Sequence, residues 1–447
     1  MPAPMLSTLP CHPCSKSELD LDSVPPTQVA IVGDYMVSTG TKSSLDGTGP
    51  LEFEITASGE DYLDLSQCYL KLKVKIVNAD GTSVQTYAAN AGVGDVAADA
   101  AGTQNNIAPA NLLLHSLFRQ VEFSMNDTLV TSSNDTYPYR AYLETLLSYG
   151  NEAKKTWLRH LESWYWDTTE QFDEKRKRYG ASKVVDLVGR LHVDMCMQGR
   201  LVPNNVSVKF VLTRSKPEFC VLNYHDGHLK VVIESATLEA RRVKLAAEEQ
   251  LRIERGIAES GAKYPITHVV TKSFTVPQGM KSVTLDSVFS GQIPNKVLLA
   301  MVRNDAFTGE YGKNPYNLQT FEMTHASLNV DGRQVPSAGL EADFGKDMYA
   351  DMYFELYKNL GFYPHDWGNG ITAEQFAGGS FVLAFDLTPD EAGDGVDFVT
   401  TRRHGTVKAS LRFSEGLEAT ATVIALGQFD NTLVIDKNRS VVFDYTT

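Results

Sequence analysis

Hydrophobic and polar residues alternate along much of the chain, in short runs that end at Gly, Pro or Asn. The segment from Leu70 to Ile76, read LKLKVKI, places an apolar residue at every second position. A period of two is that of a β-strand with one face toward a core and one toward water. Runs of this kind fill both halves of the chain: VAIVGDYMV, PLEFEIT, CYLKLKVKIV, FRQVEFSM, VVDLVGRLHVDM, NVSVKFVLT and LKVVIESATL, then HVVTKSFTVP, SVTLDSVF, KVLLAMV, FEMTHASLNVDG, SFVLAFDLT, TVKASLRFS, ATVIAL, NTLVIDK and RSVVFDY.

Helix-type patterns interrupt this rhythm near the middle of the chain and once in each half. Strands at intervals of about eight to twelve residues, separated by turn residues, favour sandwiches or barrels over a parallel α/β sheet. Strong helix formers with apolar residues at helical spacing predict a connecting helix that stops at a glycine. The predicted organisation is an N-terminal arm (1–26), a first β-domain (27–239) with a loop (79–106) and a helical insertion (137–180), a connecting helix (240–261), and a second β-domain (262–447) with a helical insertion (343–377).

Length and charge narrow the class of protein. A chain of 447 residues with 43% hydrophobic content is longer than one core usually serves, so two domains are expected. The formal charge of −14 argues against a surface that wraps nucleic acid, since phosphate binding needs a concentrated positive field. The sequence contains no apolar run long enough for a membrane-spanning helix and no apparent secretory signal, which predicts a reducing compartment. An odd count of five cysteines does not indicate a disulfide framework.

Several short motifs could carry chemistry, and each has a plainer interpretation. Cys11 and Cys14 have the spacing of half a zinc site, but no second pair follows, so an arm that is mobile or docked is favoured. The segment 225–228, HDGH, could supply ligands but is favoured as a hairpin turn. The carboxylates at 59–65 and 365–370 lack the spacing of a calcium loop.

Catalytic signatures are not found in the sequence. It contains no phosphate-binding glycine loop, no GxSxG elbow and no HExxH helix, and we therefore predict a protein that is not an enzyme and uses no cofactor or metal. The basic run Lys175, Arg176, Lys177 and Arg178 resembles a nuclear-import or phosphate-contacting patch. Neighbouring acidic residues favour a solvated loop instead.

Aromatic residues concentrate in the segments between strands. Tyr and Trp offer large, stiff and amphipathic contact area, a composition favoured at protein interfaces. Packing between copies is therefore predicted, with burial beneath long loops as the alternative. The segments are 134-NDTYPYRAY, 163-SWYWD, 311-YGKNPYNLQTF, 348-MYADMYFELY and 362-FYPHDWG.

A series of motifs, in order from about residue 20 to the C-terminus, resembles the double jelly-roll major capsid proteins of Polinton (Maverick) elements and adintovirus-like viruses. The family includes related genes in animal genomes. The 79–106 loop departs from the family in composition, and CHPC lies outside the matching blocks. The blocks are 59-GEDYLDLSQCYLKLKVKI, 112-LLLHSLFRQVEFSMNDTLV, 134-NDTYPYRAYLETLLSYG, 186-DLVGRLHVDM, 209-KFVLTRSKPEFC, 262-AKYPI, 291-GQIPNKVLLAMVRNDAFTGEYGKNPYN, 330-VDGRQVPS and 384-AFDLTPD.

The resemblance implies a mainly β protein: two eight-stranded antiparallel jelly rolls side by side, with short helical insertions. It further implies a homotrimer that forms a pseudo-hexagonal capsomer and tiles an icosahedral shell around double-stranded DNA. Neighbouring capsomers and a minor penton protein would be partners, with DNA touched indirectly at the inner face. The expected location is the virion capsid, after synthesis in the host cytoplasm and assembly there or in the nucleus. Candidate contacts between subunits are Tyr137, Tyr139, Tyr142, Tyr311 and Tyr316.

Alternative functions remain open at the level of sequence. A minor shell component is one, although two β-domains in one chain favour the lattice-forming protein. A lectin-like or carbohydrate-active sandwich is another, and it would need a cleft with aromatic walls and, for catalysis, paired carboxylates about 5 to 9.5 Å apart. A domesticated host copy would keep the same fold.

Overall fold

The computed structural model describes residues 27–45, 47–84, 107–131, 134–223, 228–391, 393 and 399–445. The predicted N-terminal arm, most of the 79–106 loop and the HDGH motif except His228 lie outside these residues.

The first half of the chain forms a sandwich of two four-stranded antiparallel sheets. The sheet orders are β1-β10-β3-β7 and β2-β8-β5-β6, and β4 pairs with β9 beside them. The strands are β1 (Ile31–Gly40), β2 (Leu51–Ile55), β3 (Tyr62–Asn78), β4 (Ile107–Pro109), β5 (Phe118–Met125), β6 (Thr128–Leu129), β7 (Val185–Arg190), β8 (Val208–Arg214), β9 (Val221–Asn223) and β10 (Leu229–Leu245).

The second half forms another such sandwich. Its sheet orders are β11-β18-β13-β16 and β12-β17-β14-β15, and the short β19 pairs with β18. The strands are β11 (Ala262–Val276), β12 (Ser282–Gln292), β13 (Lys296–Arg303), β14 (Met323–Val330), β15 (Arg333–Glu341), β16 (Val382–Asp386), β17 (His404–Phe413), β18 (Ala421–Ile435) and β19 (Val441–Phe443).

The two sandwiches share one connectivity. If the eight main strands of each are counted in chain order, both have sheets ordered 1-8-3-6 and 2-7-4-5. That order is the jelly roll, in which successive strands cross between two sheets and so cover each sheet's core face. The repeat is one of topology, since the two halves show no residue-level repeat.

Burial follows the alternation that predicted the strands. In β3, Leu70, Leu72 and Val74 are almost fully buried, while Lys71 and Lys75 point outward. These lysines pair across the sheet with glutamates of β10, at 2.6 and 2.7 Å. The apolar run of β13 does not alternate, because almost all of that strand is buried and both of its faces lie against protein.

Helices occupy the same connection in both jelly rolls. Four of them lie between β6 and β7, and two lie between β15 and β16. We call these groups the first insertion (137–182) and the second insertion (344–377). The helices are α1 (Leu113–Ser116), α2 (Tyr137–Ser148), α3 (Asn151–Lys155), α4 (Trp157–Leu161), α5 (Thr169–Tyr179), α6 (Pro217–Cys220), α7 (Ala247–Ser260), α8 (Asn304–Thr308), α9 (Ala350–Asn359) and α10 (Ala373–Ala377), with 3-10 turns at Gly180–Ser182, Asp194–Cys196 and Phe344–Lys346.

The connecting helix is shorter than the sequence predicts. Strand β10 continues to Leu245 and pairs with β1 and β3, so the first jelly roll extends six residues beyond 239. Arg241 binds Asp34 and Asp64 there, at 2.8 and 3.2 Å. Strand pairing and these ion pairs outweigh the helix propensity of 240-ARRVKL, because intrinsic propensity is worth only tenths of a kcal/mol per residue.

Candidate assembly surface and interdomain seam

The tyrosines predicted to contact a neighbouring copy lie mostly inside the chain. Tyr137, Tyr139, Tyr142 and Tyr316 expose 5, 2, 3 and 0% of their surface. Tyr311 is partly buried, and its hydroxyl donates to the carbonyl of Leu229 at 2.9 Å. Four of the five therefore offer almost no area to another chain.

Three of these rings, Tyr139, Tyr142 and Tyr316, form a cluster between the two jelly rolls, which we call the aromatic seam. Tyr142 of α2 stacks on Tyr316 of the second jelly roll, with ring centroids 4.3 Å apart. Tyr139 stacks on Phe307, at 5.2 Å, and meets Tyr316 edge-on at 5.8 Å. Such pairs add about 0.5–1.5 kcal/mol each beyond area burial. The cluster therefore helps to hold the two sandwiches side by side.

One sequence signal could have placed α2 inside. Tyr139 and Tyr142 are three residues apart and share a face, while Leu143 and Leu147 extend the apolar surface around the helix. A helix that is hydrophobic on nearly all sides is a buried helix.

A chain of buried charges crosses the same seam. Arg140 of α2 binds Asp194 at 2.6 Å and Glu144 at 2.9 Å. Asp194 in turn binds His268 of β11 at 2.7 Å, and Glu144 binds His192 at 2.5 Å. The network thus links the first jelly roll to the first strand of the second. Arg140 and Glu144 are neighbours on one helix, but their partners Asp194, His192 and His268 lie 48 or more residues away, so no local motif could reveal the whole network.

The network shifts the acid–base behaviour of its carboxyl groups. Burial alone would raise the pKa of Asp194 and Glu144, but the Arg140 guanidinium and histidine hydrogen bonds outweigh it and lower both values. Nearby, His115 is fully buried, 2.9 Å from the Tyr137 hydroxyl. Burial lowers the pKa of His115 below its ordinary 6.5.

Lys154 joins the two insertions. Its ammonium donates to the carbonyls of Leu146 and Asn369, both at 2.6 Å, and lies 4.9 Å from the Trp166 ring centroid. The side chain is 2% exposed, and burial lowers its pKa to about 7. Carbonyl oxygens and an indole face thus hold a lysine that would otherwise strongly prefer water.

Several of the carboxylates and basic residues singled out in the sequence make internal contacts. Asp61 accepts from the Tyr35 hydroxyl at 2.8 Å, and Asp64 binds Arg241. The basic run lies on helix α5, so its interpretation as a solvated loop is wrong. Lys175 is buried beside Asp167 at 3.2 Å, and Arg178 donates to main-chain carbonyls. Local ion pairs and a Thr168 cap stabilise this helix.

Among the described residues, no cluster of three or more His, Cys, Asp or Glu side chains could hold a metal ion. Every helix in those same ranges is too short or too polar to cross a bilayer. Cys11 and Cys14 lie outside the described residues, while Cys68, Cys196 and Cys220 are buried free thiols.

The second insertion carries a group of exposed rings, which we call the aromatic ridge: Phe354, Tyr363, His365 and Trp367. Tyr363 and Trp367 are each 60% exposed, and Phe354 is 40% exposed. Tyr363 lies against Phe354 and Trp367 stacks on His365, with centroids 5.0 and 5.4 Å apart. Clustered exposed aromatics of this kind mark interaction surfaces.

A cavity of about 730 Å³ lies between the insertions and bears on the lectin-like alternative. Trp166 and Phe172 line it together with Asp167, Asp173 and Glu374. Asp167 binds Lys175 and Asn314, and Asp173 binds Arg176 at 3.0 Å. Two of the three carboxylates are therefore already engaged in internal contacts.

No family model matches the chain. An uncharacterised protein of Caenorhabditis elegans is 22% identical over 428 residues, which cover 94% of this chain and 99% of the relative.

Solved structures of viral capsids share the whole fold. A chain of the Sputnik virophage matches with a TM-score of 0.61 at 11% identity and covers 98% of this chain and 93% of its own. A chain of the PBCV-1 virus capsid matches with a TM-score of 0.60 at 10% identity, and the match covers 96% of this chain and 100% of that chain. The mavirus major capsid protein matches with a TM-score of 0.55 at 12% identity, and the match covers 100% of this chain and 97% of that chain. The chain therefore has the double jelly-roll fold found in viral major capsid proteins.

Proposed function

We propose that this chain is a major capsid protein, a structural component of a virion shell and not an enzyme. The observation that carries the proposal is the repeated jelly-roll connectivity, matched from end to end by viral capsid chains. The structural matches cover nearly all of this chain and nearly all of the viral chains. They leave no large region of this chain for a separate catalytic domain. The whole fold, more than a local pocket, is the shared feature.

The finer proposal is a homotrimer. Three two-domain chains present six similar jelly rolls, so a threefold particle can occupy sixfold positions in a shell. Such capsomers would tile an icosahedral lattice, meet a penton protein at the vertices and enclose double-stranded DNA. The resemblance to capsid proteins of Polinton elements and adintoviruses supports this assignment.

We assign part of the contact between copies to the aromatic ridge in place of the seam tyrosines. Tyr363 and Trp367 present mostly uncovered rings, and Trp residues are frequent hot spots whose truncation costs about 2 kcal/mol or more. The ridge lies on an insertion, where it can vary without disturbing the sandwich strands.

The first experiment is the mass of the purified chain by light scattering, with negative-stain imaging of the same peak at rising concentration. A species near three times 49.3 kDa with hexagonal outlines or shells supports the capsomer. A monomer at all concentrations that instead binds glycans would favour the lectin-like alternative, with the 730 Å³ cavity as its site.

The double variant Tyr363→Ser, Trp367→Ser should lower the trimer fraction at least tenfold while the monomer stays folded, because both rings are largely exposed. Met280→Ser removes a 42% exposed side chain from the turn between β11 and β12 and serves as the control. Equal trimer fractions in the two variants would remove the ridge from the interface.

A further inference from the structure

A cavity of about 660 Å³ opens between the two jelly rolls, next to the aromatic seam. We call it the seam cavity. Its size falls within the range of about 300–1,000 Å³ typical of small-molecule sites. Its walls come from both sandwiches and are mostly apolar, including Pro138, Tyr139, Phe219, Val270, Phe274 and Phe307.

Three hydroxyl groups of residues that line this cavity have no hydrogen-bond partner within the described part of the chain. They belong to Tyr139, Ser215 and Thr271. Tyr139 and Thr271 are only 2 and 4% exposed. A buried hydroxyl without a partner costs about 1–3 kcal/mol, so three around one cavity indicate a missing polar group.

The charges at the cavity mouth favour an acidic ligand. Lys216 is exposed and makes no ion pair with any described residue. Arg119 and Asp135 neutralise each other at 3.4 Å, and Lys272 places its ammonium over the Phe289 ring. Neither lysine is paired with a described carboxylate, and Lys216, which no described ring engages either, is adjacent in sequence to Ser215.

We propose that the seam cavity binds one long-chain carboxylic acid that bridges the two jelly rolls. The acyl chain lies against the Phe219, Phe274 and Phe307 walls. The carboxylate accepts from the unpartnered hydroxyls and pairs with Lys216. A carboxylate has about four acceptor sites, as many as three hydroxyls and one ammonium require.

The test uses the full-length protein and two probes of equal chain length, palmitic acid and neutral hexadecanol. Organic extraction of the purified chain followed by mass spectrometry should find bound fatty acid at near one per chain. After delipidation, palmitic acid should raise the unfolding temperature in a saturable manner, because a ligand that binds only the folded state stabilises it. Hexadecanol should bind at least fivefold more weakly.

Two charge-reversal variants make the assignment specific. Lys216→Glu should weaken palmitic acid binding about fivefold or more and leave hexadecanol unchanged. Lys437→Glu makes the same charge change on the exposed turn between β18 and β19 and should change neither. Thr271→Val, which removes one hydroxyl at constant shape, should also weaken palmitic acid binding.

Two results would overturn the proposal: no saturable effect of palmitic acid together with no extracted fatty acid, or identical palmitic acid binding by the Lys216→Glu and Lys437→Glu variants. If hexadecanol bound as tightly as palmitic acid, the proposed recognition of the carboxylate would be wrong. None of these readouts depends on assembly, so the proposal can fail while the capsid function stands.

Discussion

At the residue scale, substitutions of the buried seam tyrosines are expected to lower the stability of the folded monomer, and to affect assembly only through that loss. Tyr142→Ala removes a ring stacked on Tyr316 and should lower the free energy of unfolding by about 3 kcal/mol, the cost of an aromatic-to-alanine cavity. Tyr142→Phe keeps the ring and is the control. Denaturant unfolding of dilute monomer measures both variants. If the Tyr142→Ala monomer had wild-type stability but failed to assemble, Tyr142 would instead be assigned to the subunit interface.

The buried histidine and carboxylates predict loss of stability in acid. His115 has a folded pKa below its ordinary 6.5, so the unfolded chain binds more protons and stability falls as pH drops below 6.5. Glu144 and Asp194 have lowered folded pKa values, so their contribution is present above their ordinary 4.5 and 3.8 and is lost as pH falls through the folded values.

Unfolding free energies measured from about pH 8 to about pH 2 should therefore fall in two stages, the first as the pH drops below 6.5 and the second as it drops below about 4.5. His115→Gln should flatten the upper stage and leave the lower one. A wild-type profile that is level between pH 7 and 5 would contradict the assignment.

At the element scale, the end of the connecting helix α7 depends on one glycine. Gly261 has φ of +72°, and a Cβ there would lie 2.7 Å from the Val434 side chain. Gly261→Ala should therefore cost 1 kcal/mol or more, through strain and overpacking. Gly256→Ala, inside the same helix with open space around it, should gain up to about 1 kcal/mol. Thermal unfolding distinguishes the two, and effects of equal sign would contradict this account.

At the scale of the whole molecule, charge should oppose assembly. Each chain carries a formal net charge of −14, so the proposed trimer would carry a net charge of −42 (3 × −14). Salt shortens the Debye length from above 10 Å at about 0.05 M to well below it at about 0.5 M. The trimer fraction should therefore rise across that range, as measured by light scattering. A fall with salt would instead indicate an interface held by ion pairs.

The strands and their buried faces could be predicted from the sequence because alternation is a local pattern. The spacing of Leu70, Leu72 and Val74 by itself indicates which face of the strand is buried. The mainly β class could be predicted for the same reason, and the helical insertions were predicted from helix-type patterns that are equally local. The pattern failed at 240–245, where the residues favour a helix but their partners in β1 and β3 hold them as a strand.

Which residues meet inside the interdomain seam was determined only by the tertiary structure. Tyr142 and Tyr316, or Asp194 and His268, are separated by more than 70 residues and meet because the two jelly rolls pack side by side. Sequence alone identified aromatic segments as important surfaces. The apolar surface around α2 indicates a buried helix, but aromatic composition by itself does not separate its tyrosines from the exposed rings at 363 and 367, because an amphipathic ring suits either place and packing determines which face water reaches.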